Sequence, residues 1–422
     1  MPILLLFKPP GKREHTGGEI MRKKVVSLLT VMALAIATLA GCASSTDTNA
    51  TTGTEAATEA TDEAAADDAA VEETADAEEA TEDAAQVTGV KAGFIFLHDE
   101  NSTYDLNFLN AAKEACEKLG IEYLIKTNIP EGQECYDAAC ELADAGCNFI
   151  FADSFGHEDY VIEAAKEYPD VQFSHATGTK AHTENLSNFH NAFASIYDGR
   201  YLAGIVAGMK TESNLIGYVS AMGVENSECT GGIDAFAMGV YSVNPDAKVY
   251  VKVTNSWYSP TEETNAAKAL LSEGCDVIAQ HCDTPNPQLE AESAGKWGVG
   301  YNTDMSKDAP KATLTSTIWH WDAYYTYQVK QIVDGGWTCE NYYGGMADGL
   351  VDISPLNMDI CTDEMQAAVD AAKAKIMDGS FNVFDGVIET NDGQTVGEEG
   401  STLDDATITG GINWYFKTVE VK

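Results

Sequence analysis

From residue 89 onward the apolar residues alternate between two rhythms. VKAGFIFL (90–97) is a short β-rich run, and 103–120 carries Phe108, Ala112, Ala115 and Leu119 at helical spacing before Gly120 stops it. IEYLIKTN, a helix over 135–145, NFIFADS, a helix over 158–168, VQFSHAT and a helix over 196–209 continue the pattern. After Lys210 the cycle restarts with NLIGYVSAM, a helix over 230–243, AKVYVKVTNSW, a helix over 261–273, CDVIAQHCD, a helix over 285–295 and WGVGYN. Two consecutive runs of β-α units predict two parallel-sheet α/β lobes rather than one large sheet.

Upstream of residue 89 the pattern is different. Arg22-Lys23-Lys24 precedes VVSLLTVMALAIATLAGC, an apolar run closed by Leu39-Ala40-Gly41-Cys42. This reads as a signal peptide of the lipoprotein kind over 1–42, with Met21 the expected start and Cys42 the expected lipidation site. Two or three acyl chains on Cys42 would anchor the chain stably at the extracytoplasmic face of the cell membrane. Residues 43–88 hold 14 acidic residues and no Lys or Arg among Ala and Thr, a composition that builds no core and suits an extended tether.

The remaining 89–422 carries 51 acidic against 19 basic residues, a net of −32 within a chain of net −42. A basic surface for nucleic acid is excluded, and so acidic a surface favours a soluble monomer. It also favours a neutral or cationic small ligand over a phosphorylated one. Nine cysteines fall in this region, with no CxxC and no zinc-like spacing, and they read as free, mostly buried thiols.

Ligands of open α/β folds bind outside the carboxyl ends of the strands, and two facing lobes put that place in a cleft. The strand ends offer His98, Asp99, Tyr104 and Asp105, then Asp153, Ser154 and Phe155, then Asn255, Ser256 and Trp257. They continue with His281, Cys282 and Asp283, with Tyr301, Asn302 and Asp304, and with Trp319, His320 and Trp321. The set is aromatic and acidic, without Arg and without a phosphate-cradling Gly loop. It suits a flat heterocycle that donates hydrogen bonds, a purine above all, and a sugar remains open. His281-Cys282-Asp283 invites a Cys–His catalytic reading, but neighbours on a strand point to opposite faces, and no enzyme activity is expected.

TNSWY (254–258), SFG (154–156), GRYLAGIVAG (199–208), IGYVSAM (216–222), QHCD (280–283), GYNTDMSKDAPKATLTSTIWHW (300–321) and YYGGMADGLVDISPLN (342–357) resemble the basic membrane protein family. These are substrate-binding lipoproteins of ABC importers, and the likeness runs over essentially all of 89–422. It implies an α/β, type I periplasmic-binding-protein fold with two Rossmann-like lobes, three hinge crossovers and closure on the ligand. The expected lobes are about 89–190 with 312–342, and about 191–311 with 343–422. The implied partners are a purine ligand, a permease and a separate ATPase, since the chain has no Walker loop; no cofactor or metal is implied.

The family's nucleoside-binding members place a stacking aromatic and an Asn after the first strand, where this chain reads Thr103-Tyr104-Asp105. Their G-V-D-x-D segment corresponds to Gly300-Tyr301-Asn302-Thr303-Asp304, which keeps Asp304 and has Asn302 for the first Asp. A ribose-associated Lys falls at Trp319, where an indole would fill the sugar's space, so the chain resembles the nucleobase-type branch more than the nucleoside type. The expected ligand residues are therefore Tyr104, Asp105, Asp153, Phe155, Trp257, Asp283, Asn302, Asp304 and Trp319. Each has a structural reading beside the functional one: Trp257 as lobe packing, Asp283 and Asp304 as helix caps, Trp321 and His320 as hinge shaping. A sugar-binding or a non-transport sensory lipoprotein of the same fold is the alternative. Replacing the expected anchor, Cys42→Ser, is expected to move the protein from the detergent to the aqueous phase in a detergent phase-partition experiment.

Overall fold

The computed structural model describes residues 89–422; the expected leader, Cys42 and the acidic tether lie outside the described residues. The chain alternates β1 (Lys91–Ile95), α1 (Thr103–Leu119), β2 (Glu122–Lys126), α2 (Gln133–Asp144), β3 (Phe149–Ala152), α3 (Glu158–Glu167), β4 (Gln172–Ala176), α4 (Ala181–Glu184) and β5 (Phe189–Ala194). It goes on through α5 (Ile196–Lys210), β6 (Leu215–Ser220), α6 (Ser227–Val243), β7 (Lys248–Val253), α7 (Pro260–Ser272), β8 (Val277–His281), α8 (Asn286–Ser293), β9 (Trp297–Asn302), β10 (Thr313–Trp319) and α9 (Trp321–Val333). The remainder is β11 (Tyr342–Gly344), β12 (Val351–Ile353), α10 (Asp363–Met377), the hairpin β13 (Ile388–Glu389) and β14 (Thr395–Val396), α11 (Asp405–Gly410) and β15 (Val419–Val421).

Local chemistry sets the ends of these elements. The Ser102 hydroxyl accepts the Asp105 N–H at 3.3 Å to open α1, and Gly120, at φ 65°, closes it. The apolar positions of that helix, Phe108, Ala112, Ala115 and Leu119, are all buried.

Two larger sheets result. The first runs β11-β5-β4-β3-β1-β2, and the second β12-β10-β9-β8-β6-β7-β15. All neighbours pair in parallel except β12, which is antiparallel to β10. Each sheet thus contains the same five-strand order, second-first-third-fourth-fifth, in two successive stretches of chain. The chain passes between the sheets after β5, after β10 and after β11.

The expected lobe limits need one correction. Residues from 312 were assigned to the first lobe, yet β10 is hydrogen-bonded to β9 and β12 in the second sheet. The return to the first half comes with α9, which packs against α1. The strand β5 has no counterpart in the expected pattern, because its FHNAFA sequence carries the polar His190 and Asn191 at buried positions on opposite faces. Those two are buried by specific partners: His190 Nε2 lies 2.6 Å from the Tyr324 hydroxyl and Asn191 Nδ2 2.9 Å from Glu158 Oε1. All nine described cysteines are unpaired; seven are buried, Cys140 is partly buried and Cys339 is exposed.

The helices α5 and α6 of the second half cross in close backbone contact. A Cβ at Gly204 would stand 2.1 Å from the Phe236 carbonyl oxygen, and one at Gly239 would stand 2.1 Å from that of Tyr201. Backbone oxygens have no rotamer with which to retreat, so only glycine fits either position. Gly204→Ala and Gly239→Ala are each expected to cost about 1–3 kcal/mol or more, read as a lower urea midpoint at unchanged slope.

Candidate functional site

In both sheets the strand order reverses beside the first strand of the five, between β1 and β3 and between β6 and β8. Loops leaving such a point diverge to opposite faces and leave a crevice at the carboxyl edge. Most of the residues of interest lie on these two edges.

On the first edge the Leu97 N–H donates to Asp153 Oδ1 at 3.3 Å, tying the end of β1 to the end of β3. Asp153 is fully buried and its Oδ2 has no hydrogen-bond partner. Burial, reinforced by the nearby Asp105, pushes the Asp153 carboxyl well above the usual carboxylate range. The Tyr104 hydroxyl donates to the Asp153 carbonyl at 2.8 Å, and its ring meets Phe108 edge-on with centroids 4.8 Å apart.

The second edge presents Asp283 and Asn302, both buried. Asn302 sits at φ 68° and donates from Nδ2 to Asp283 Oδ1 at 2.9 Å, while its own Oδ1 has no partner. Burial pushes the Asp283 carboxyl well above its ordinary value, against the pull of the Asn302 amide. Trp257, half-buried, accepts the Asp283 N–H at its carbonyl and lies edge-on to His281 at 5.7 Å.

The two edges touch. The Thr103 N–H donates to the Asp283 carbonyl at 2.9 Å, and the His98 ring stacks on Tyr258 at 5.2 Å. Behind them runs an aromatic ladder in which Trp321 stacks on Phe108 at 4.7 Å and on Trp319 at 5.6 Å. Both indole N–H groups are buried without a hydrogen-bond partner.

Two of the expected ligand residues have partners within their own loops, and a third is exposed. Asp105 accepts the His98 N–H at 2.7 Å and holds its Nδ1 at 3.2 Å, so it anchors the loop. Asp304 accepts the Ser306 N–H at 3.0 Å through Oδ1 and so caps the short helical turn Met305–Lys307. Phe155 is 63% exposed on its turn and does not join the buried aromatics. Tyr104, Asp153, Trp257, Asp283, Asn302 and Trp319 do lie at the facing edges.

Two residues absent from the expected set stand beside them. Glu228, in the first turn of α6, places Oε1 3.4 Å from His281 Nε2 and 3.5 Å from the Tyr301 hydroxyl. Burial pushes its carboxyl up to about 7, against the pull of the Arg200 guanidinium. Arg200, buried in α5, lies 3.7 Å over the Tyr301 ring and donates to the Gln280 carbonyl at 2.5 Å. Glu228 was within reach of the strand-end rule, since it follows β6; Arg200 was not, because it projects from inside a helix.

Residues 94–385 match the family described as ABC transporter substrate-binding protein PnrA-like, the Bmp family. The chain belongs to this basic membrane protein family. Members of this class are extracytoplasmic solute-binding proteins associated with transport, not enzymes. The Bmp chain is 37% identical over 271 residues to the Purine-binding protein BAB2_0673 of Brucella abortus, covering 63% of this chain and 75% of that one. It is 35% identical over 258 residues to the Putative ABC transporter glucose-binding protein TsgA13 of Haloferax volcanii, covering 61% of this chain and 62% of that one. Among solved structures, a solute-binding protein of an ABC transporter system from Conexibacter woesei superposes with TM-score 0.61 at 20% identity, covering 70% of this chain and 98% of its own. That likeness shows the periplasmic-binding-protein-like α/β fold.

The buried carboxyls of this Bmp protein make its stability depend on pH. Below the ordinary aspartate range both folded and unfolded chains hold the Asp153 proton. As pH rises toward the raised folded value, the unfolded chain releases the proton that the folded chain keeps, so stability falls with rising pH. Asp153→Asn removes this contribution, and the melting temperature of the variant relative to wild type is expected to climb from pH 4 to pH 8.

Proposed function

We propose that this Bmp-family protein captures a purine nucleobase between two lobes that close about the three chain passages, and delivers it to an ABC permease served by a separate ATPase. The reading rests on one observation above all: a stacked aromatic ladder beside buried carboxyls at the facing carboxyl edges of two sheets. A flat heterocycle meets both halves of that surface. Aromatic faces contribute roughly 1–3 kcal/mol per stacked base, and carboxyls accept ring and exocyclic N–H groups. Tyr104 and Trp257 are the proposed stacking walls. Asp153 and Asp283 are the proposed acceptors, each with one oxygen engaged by the protein and the other available.

Trp319 supports a free base over a nucleoside. It is 4% exposed and wedged between Trp321 and Phe193, so it occupies volume that a ribose would need. The Brucella relative, a purine-binding protein by name, supports the purine part of the reading. Lipid attachment at Cys42, with 43–88 as a tether, completes the proposal and would hold the receptor at the membrane near its permease.

Calorimetry of the full-length chain against adenine, guanine, hypoxanthine, their nucleosides, ribose and glucose tests the reading. A free base is expected to bind and, at a hundredfold excess over its dissociation constant, to stabilise the fold by ~2.7 kcal/mol. Asp283→Ala is expected to weaken that binding about tenfold or more, because it leaves a buried donor unpaired. Binding of nucleosides alone would discard the role of Trp319, and binding of sugars alone would discard the purine.

A further inference from the structure

Trp257 and Asp283 stand on different loops, 254–259 after β7 and 282–285 after β8, and β6 lies between those two strands in the sheet. No strand-to-strand ladder therefore sets one loop against the other. The loops meet at Glu263, which is fully buried in the first turn of α7. Its Oε1 accepts the Ser259 N–H at 2.9 Å, and its Oε2 accepts the Thr284 hydroxyl at 2.6 Å. One carboxyl thus grips a residue of each loop.

The Ser259 contact alone is an ordinary helix opening, since the Glu263 N–H returns a bond to the Ser259 carbonyl at 2.9 Å. Such a cap uses only one of the two oxygens. The second reaches a residue 21 positions further along, next to Asp283. Thr284 is 2% exposed, and its hydroxyl also accepts the Asn286 N–H at 3.2 Å, so it is engaged both as donor and as acceptor. From within the sheet, Gln280 donates from Nε2 to the carbonyls of Cys282 at 3.0 Å and Thr284 at 2.7 Å. Gln280 fixes the Asp283 loop to its own strand, and Glu263 fixes it to the Trp257 loop.

We propose that Glu263 is a positioning residue of the base site: through Thr284 it holds the Asp283 carboxyl in a set relation to the Trp257 indole. The bond from the Asp283 N–H to the Trp257 carbonyl at 2.9 Å belongs to the same frame, and the Asn302 amide orients the Asp283 side chain from β9. A planar ligand has to be stacked and hydrogen-bonded at once. An acceptor that drifts out of the plane of the ring bends its hydrogen bond and weakens it, so wall and acceptor work only in register. The inference rests on the purine reading above and adds to it a residue that acts on the base through Asp283 and Trp257.

The test is adenine and hypoxanthine binding to the full-length chain, together with amide hydrogen exchange over 254–259 and 282–285. Thr284→Val keeps the shape of the side chain and the cap of α7 but cuts the link, and it is expected to weaken base binding about tenfold and to speed exchange in both loops. Thr284→Ser keeps the hydroxyl and is expected to regain affinity to within about twofold of wild type. Glu263→Gln can still accept from Ser259 but offers Thr284 an NH2 group, so it is expected to behave like Thr284→Val. Because both changes cut one link, the double variant is expected to be no weaker than either single one. Wild-type affinity in Thr284→Val overturns the proposal, and so does a loss that serine does not recover or a double variant that loses the product of the two single effects. If Thr284→Val does not fold, Glu263→Gln decides, and unchanged affinity or unchanged exchange in that variant overturns the role. A wild type that binds neither base sinks the purine reading and this role together, whereas a wild type that binds no better than its variants sinks the role alone.

Discussion

Two glycines govern the geometry of the second half of the molecule. Gly204 on α5 and Gly239 on α6 bring the helix backbones into direct contact, each Cβ position lying 3.1 Å from the other's Cα. Helices that cross through larger side chains cannot bring their backbones this close. The consequence reaches the site. Arg200 lies one turn before Gly204, and Glu228 opens the helix that carries Gly239. A wider crossing would draw the guanidinium away from Tyr301 and leave Glu228 without the positive field that moderates its burial.

The electrostatics of the cleft resolve an apparent conflict between surface and site. A net of −32 on the domain suggests a strongly negative cavity. Instead, burial opposes ionisation at Asp153, Asp283 and Glu228, so the acidity is concentrated on the outside. The interior becomes a set of polar groups that can both donate and accept. Such a site would suit the neutral, hydrogen-bonding ligand proposed above, and the outer charge would disfavour phosphorylated forms.

Much of the architecture was legible because each β-α unit repeats one simple pattern. WGVGYN was read as a strand with the limits β9 has, and the helix over 103–120 matches α1 to within a residue. Failures came where polar residues are buried by distant partners. His190 and Asn191 hid β5, since nothing nearby announces Tyr324 or Glu158. The strand-end rule found Tyr104, Asp153, Asp283 and Asn302, which lie where backbone geometry alone delivers them. It also brought in Asp304, which caps the turn Met305–Lys307 through one oxygen. Arg200 was beyond it, as the direction of a buried helical side chain depends on the packing of that helix.

The thiols have a practical corollary. Burial raises Cys116 and Cys275 to about 12 and pushes Cys282 well above the ordinary thiol value, so these sulfurs are poor nucleophiles in the folded state. Among the described cysteines only Cys339 is exposed, and it lies between α9 and β11, both of which belong to the first half. Among the described cysteines the molecule therefore carries, without engineering, one readily addressable thiol, set on that half alone. A fluorophore coupled there would tag the first half and leave the buried thiols of the native fold untouched.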